Sequence, residues 1–145
     1  MLTLTERLPT NLYPNIRFIL SLTALERTKS RHRFETEEGI AVALKLPRGT
    51  VLHDGDLLRS EEDKILVQVV AKPEPVLNVT AQTQLDLLRA AYHLGNRHVP
   101  LEITSTYLRL GFDPVLKTML EQLDLQVVES LEPFDPEMGA YSHSH

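Results

Sequence analysis

The chain contains no cysteine, which excludes disulfides, thiolate zinc sites, iron–sulfur clusters and thiol nucleophiles together. Transition-metal chemistry must therefore rest on His, Asp and Glu. Tryptophan is also missing, and with 6 glycines in all there is no Gly-rich phosphate loop; Gly-x-Ser-x-Gly and His-Glu-x-x-His are absent as well. Enzyme chemistry has little to build on. No apolar run approaches the roughly 20 residues that a membrane span requires. The opening Met1-Leu-Thr-Leu-Thr-Glu-Arg7 has neither the basic stretch nor the apolar core of a secretory signal. The expected address is the cytoplasm.

What is present is a chain of 145 residues, 42% hydrophobic and 24% charged, with formal net charge −5. That suffices for one packed domain or two small ones, and it is not the composition of a disordered protein. The charge is unevenly spread. Residues 1–75 carry eleven Lys/Arg and eleven Asp/Glu, whereas residues 76–145 carry four and nine. An acidic second half is a poor surface for phosphate backbones, so nucleic acid is not an expected partner. The asymmetry suggests two modules.

The boundary falls at Ala71-Lys-Pro-Glu-Pro75, where two prolines favour an extended connector. Before it, short β signals dominate: Ile16–Leu20, Arg31–Thr36, Ile40–Leu44 and the β-branched Lys64–Ala71, separated by Gly- and Pro-containing turns. They predict a small β-sandwich or barrel over residues 1–72. Beyond the connector the period changes. Val76–Thr80 reads as a strand, with Thr80 as the N-cap of a helix that stops at Gly95-Asn96. Leu87, Ala90, Ala91 and Leu94 share its apolar face, and Asp86, Arg89 and His93 its polar one. Val99–Thr104 and Thr106–Leu110 read as strands. Asp113-Pro114 opens a second helix, and Leu125–Leu131 closes as a strand. The order β-α-β-β-α-β over residues 76–133 is the ferredoxin-like arrangement. The fold class is thus α+β in two domains, followed by a turn-rich tail over residues 134–145.

Six histidines are the main chemical resource: His32, His53, His93, His98, His143 and His145. Imidazole suits nickel, copper, zinc and cobalt. His93 and His98 are five residues apart, about 140° round a helix, so the two cannot ligate from one helical face. The helix stop leaves His98 in the turn that follows. Spacing alone leaves open both an ordinary turn histidine and a ligand there, and favours a surface role for His93. His143 and His145 can complete a coordination sphere from a tail without a preformed pocket, or be a chance pair. His53-Asp-Gly-Asp56 reads as a turn. Arg27, Lys29, Arg31 and Arg33 alternate and would form a basic stripe on an extended chain, as a docking surface or as a solvated face.

Tyr92-His-Leu-Gly-Asn-Arg-His-Val-Pro-Leu101 closely resembles the signature of the urease accessory metallochaperones, the UreE family. Pro47–Leu57, Val67–Pro75, Leu88–Ala91 and Pro133–Tyr141 extend the likeness over most of the chain. The resemblance implies a β-rich N-terminal domain similar to peptide-binding domains of chaperones. It also implies a ferredoxin-like C-terminal domain that dimerises and binds nickel. The principal ligand of the family falls on His98, with one copy from each protomer meeting at the dimer axis, where twofold symmetry supplies the second imidazole. His93 is at most an accessory ligand, and His143 and His145 are the C-terminal ones. Two departures matter. Leu108–Pro114 has no histidine where some members are His-rich, and the tail offers two rather than many. Delivery of nickel is therefore expected, not storage.

The implied partners are a second copy of the chain, the accessory GTPase UreG and the urease apoprotein. The nucleotide chemistry would belong to the GTPase. Zinc or copper can bind the same imidazoles, and binding weakens at low pH because the ligands must be deprotonated. The competing expectations are a protein-interaction module of the urease maturation complex with incidental metal binding, and a small hydrolase, against which the missing nucleophile motif counts.

Overall fold

A computed structural model describes residues 1–9 and 15–137. The chain divides into two compact units, Met1–Lys72 and Pro73–His145.

The first unit has six strands: β1 (Leu2–Leu8), β2 (Phe18–Leu22), β3 (Arg31–Glu35), β4 (Ala41–Lys45), β5 (Leu57–Ser60) and β6 (Leu66–Ala71). They form one mixed sheet in the order β2-β6-β5-β1-β4-β3, with β1 parallel to β4 and β2 parallel to β6. The unit is β-rich as expected, but the order of its strands was not. Turn frequency reports how often the chain reverses, but the parallel pairings join strands far apart in sequence. Leu2–Leu8 and Leu57–Ser60 are further strands that the sequence reading had not assigned. Alternation puts Val67, Val69 and Ala71 of β6 into the core, where Leu4, Leu20, Val42, Leu44 and Leu58 meet them.

Arg27 is not part of a basic stripe. It lies in a 3-10 turn over Glu26–Thr28, buried, with Nη1 donating to the Leu22 carbonyl at 2.9 Å. Only Arg31 and Arg33 occupy an edge strand together. His53–Asp56 is the turn expected. The Asp56 carboxylate accepts from the His53 amide and Asp54 from the Ala71 amide, both at 2.8 Å. Both carboxylates are thereby committed to backbone.

The second unit runs β7 (Glu74–Thr80), α1 (Gln84–Asn96), β8 (Glu102–Ile103), β9 (Leu108–Gly111), α2 (Pro114–Gln122) and β10 (Gln126–Glu132). Its sheet order is β10-β7-β9-β8, antiparallel throughout. Pro75 lies inside β7, not in a connector. The ladder with β9 begins only at Val76, so the missing amide at Pro75 interrupts nothing on that side. The helices cover one face of the sheet. Leu87, Ala90 and Leu94 of α1 and Leu120 of α2 pack on Leu77, Val79, Leu108 and Leu110. Each fully buried leucine there contributes roughly 1.5–3 kcal/mol.

Both helix starts are capped. Asp113 accepts from the Val115 and Leu116 amides at 2.9 and 3.1 Å, with Pro114 in the first turn. For α1 the cap is Thr83, accepting from the Asp86 amide at 3.1 Å, and not Thr80. Thr80 is held in the β7 ladder opposite Gln126.

Candidate metal centre

Helix α1 ends in a Schellman motif. The Val99 amide donates to the Leu94 carbonyl at 3.1 Å and the His98 amide to the Gly95 carbonyl at 3.0 Å. The residue in the left-handed conformation is His98, with φ of 58°. Gly95 and Asn96, expected to take that role, are still helical. Histidine tolerates this region better than most side chains, though a Cβ there costs about 1–2 kcal/mol. The turn throws the His98 side chain off the end of α1, where it is exposed.

His98 lies on the rim of a cleft of about 190 Å³ lined also by Ala91, Gly95, Val99, Leu101, Ile103 and Glu137. An imidazole at the edge of a mostly apolar depression can give one nitrogen to a borderline metal ion. The surroundings extend the apolar surface. Leu88 and Tyr92, four residues apart on α1, are 58% and 66% exposed, and Ile103 is 48% exposed.

His93 is not brought to the cleft. It stands two residues from both Ala91 and Gly95, hence about 160° round the helix from them. It is exposed, with its ring edge-on to Tyr92 at 5.5 Å. His143 and His145 lie outside the described residues. Among the described residues no three His, Asp or Glu side chains converge as a metal site. At this cleft the described part of one chain places a single imidazole, that of His98, with Glu137 also in the lining.

The sequence did not show how Glu137 reaches the cleft. After β10, residues 133–137 cross the helix-free face of the sheet toward β8. The Pro133 carbonyl accepts from Arg109 Nη1 at 3.2 Å, the Asp135 amide donates to Glu102 Oε1 at 2.9 Å, and the Glu137 amide donates to the Leu101 carbonyl at 2.8 Å. Phe134 and Pro136 are buried. An apolar residue between two prolines was the available signal for a pinned, extended segment.

Arg109 is the hub beneath this segment, largely shielded from solvent. Its Nε donates to Asn78 at 2.7 Å, its Nη2 to Glu132 at 3.1 Å, and its Nη1 is 3.4 Å from Glu102. The guanidinium also stands 4.9 Å from the Tyr107 ring centre. Glu132 takes two further hydrogen bonds, from Ser130 and Asn78, at 2.7 Å each. Those bonds, with the charge of Arg109, hold its carboxyl below the usual carboxylate range.

Comparison with known proteins adds two family matches. The model for the "UreE urease accessory protein, C-terminal domain" matches residues 74–145, and that for the N-terminal domain matches residues 4–72. A urease accessory protein UreE of Nostoc punctiforme is 61% identical over 145 residues, covering 100% of this chain and 98% of that protein. The UreE of Thermosynechococcus vestitus is 57% identical, covering 100% of both.

Proposed function

The chain belongs to the UreE family of urease accessory proteins, and from that premise we propose that it is a chaperone that carries nickel, as a homodimer, to the assembling urease active site. The observation that supports this best is His98, exposed at the end of α1 beside an uncovered apolar surface of Leu88, Tyr92 and Ile103. One imidazole is a poor nickel site. A second copy of the same surface would cover the apolar side chains and bring a second His98 across the twofold axis. The β-α-β-β-α-β order and the sheet order β10-β7-β9-β8 support the ferredoxin-like reading of this unit.

Nickel is cargo here, so the site must release what it binds. The two His98 imidazoles form the fixed part, and His143 and His145 act as exchangeable ligands that close and open the sphere. His93, on the far side of α1, stays outside it. Zinc and copper compete for the same nitrogens, and copper binds such donors more tightly than nickel, so metal choice rests on supply and partners. Those partners are the accessory GTPase UreG and the urease apoprotein, in the cytoplasm. The six-stranded unit holds the assembly.

The test is reconstituted activation of urease apoprotein at limiting nickel. His98→Ala is expected to lose most of the stimulation that the wild-type chain gives. Full stimulation by His98→Ala would instead favour an interaction module whose metal binding is incidental.

A further inference from the structure

β3 leaves the six-stranded sheet with an open edge, and that edge is charged. The strand is the outermost of its sheet, bonded on one side to β4. The Leu46 amide donates to the Ser30 carbonyl at 3.0 Å, and the Thr36 amide to the Ile40 carbonyl at 2.9 Å. Bonding alternates along an antiparallel ladder, so the even-numbered residues between them face β4. The backbone N–H and C=O groups of Arg31, Arg33 and Glu35 then face outward. The register runs without a bulge, and no proline blunts the strand.

The side chains sort by face. His32 and Phe34 stand opposite Leu44 and Val42, which belong to the core. Arg31 and Arg33 therefore project from the other face, where Arg31 is directly across from Lys45. All three cations are exposed, and among the described residues neither they nor Lys29 form an ion pair. Like charges directly across a ladder repel. The strand's own carboxylate, Glu35, lies over the turn at Gly39 and does not answer them. An uncompensated positive field thus runs beside a row of unused backbone donors and acceptors.

We infer that this edge receives an acidic, extended segment of a partner protein as a seventh strand. The segment pairs its backbone with Arg31, Arg33 and Glu35, and carboxylates two residues apart on it meet Arg31 and Arg33. A second copy of β3 is a poorer occupant, because it brings the same cations and a carboxylate turned toward Gly39. Such a strand gives the proposed hold of the six-stranded unit on its assembly a place and a chemistry. It rests on that reading for its biological setting alone, and not on nickel.

The probe is a short labelled peptide of alternating glutamate and valine, added to the full chain. Its binding is expected to slow hydrogen exchange at the Arg31, Arg33 and Glu35 amides and to leave His32 and Phe34, already bonded to β4, as they were. Affinity should fall with added salt and drop about tenfold in the double variant Arg31→Glu, Arg33→Glu. Arg31→Lys with Arg33→Lys should keep most of it. The same peptide methylated at its glutamate nitrogens keeps its charge, loses one bonding edge and is expected not to bind. Absence of binding by the unmodified peptide overturns the inference, as does equal binding by the methylated peptide or by the charge-reversed chain. Protection of the three amides that grows with protein concentration alone also overturns it, and makes a second copy the occupant. Nickel binding by His98 is read separately: if His98→Ala loses urease activation while the charge-reversed chain keeps it, this inference falls and the proposed function stands.

Discussion

A histidine at φ 58° spends stability to aim a side chain. Glycine would relieve about 1–2 kcal/mol of left-handed strain at position 98 and return about 0.5–1 kcal/mol of it as lost chain entropy. His98→Gly is therefore expected to raise stability by roughly 0.5–1 kcal/mol in denaturant unfolding while removing nickel binding. Helix α2 supplies the control, since it ends in the same motif with Asp124 at φ 62°. Asp124→Gly should stabilise similarly and leave nickel binding unchanged. If His98→Gly is destabilising, the strain argument is wrong. At Glu132 the carboxyl is held below its ordinary value of 4.5, so its ionised form favours the folded state. That contribution is complete above the unfolded value and is lost as pH falls through the lower, folded one. Glu132→Gln should accordingly flatten the acid limb of the stability profile below about pH 4.5; an unchanged acid limb would show that the cluster does not favour the charged form.

Among the elements, those fixed by local chemistry were legible in the sequence and those fixed by distant partners were not. Asp113-Pro114 announced α2 because cap and first turn are adjacent residues, and Asp113→Ala, which strands two amides, is expected to cost about 1 kcal/mol in thermal or denaturant unfolding. A cost near zero would mean that water replaces the cap freely. Thr80 was expected to cap α1, but pairing with Gln126, far along the chain, keeps it in its strand and the cap is Thr83. Gly95-Asn96 marked the end of α1 to within a residue, yet the left-handed position went to His98 because the helix continues through both. The order of the six-stranded sheet was hidden for the same reason, its parallel pairs being remote in sequence. The fastening of residues 133–137 was hidden too, since Arg109, Glu102 and Glu132 meet only when β8, β9 and β10 come together.

At the scale of the whole molecule, the likeness to UreE proteins runs the length of the chain, whereas the proposed metal site requires a second copy of the chain. His98 was singled out as the proposed ligand by its resemblance motif Gly95-Asn-Arg-His98; its exposed place at the end of α1 and the apolar side chains near it emerged only when α1 and β8 were placed. A charge on that surface should separate the protomers. Tyr92→Glu is expected to shift sedimentation from dimer toward monomer and to weaken tight nickel binding with it, and a dimer that survives would move the interface elsewhere. The most direct test of the account is a calorimetric nickel titration of the wild-type chain beside His98→Ala, with the mass of each measured by sedimentation. The account predicts one tight nickel ion per two chains, lost in the variant while the dimer persists. Tight binding retained by His98→Ala would contradict it.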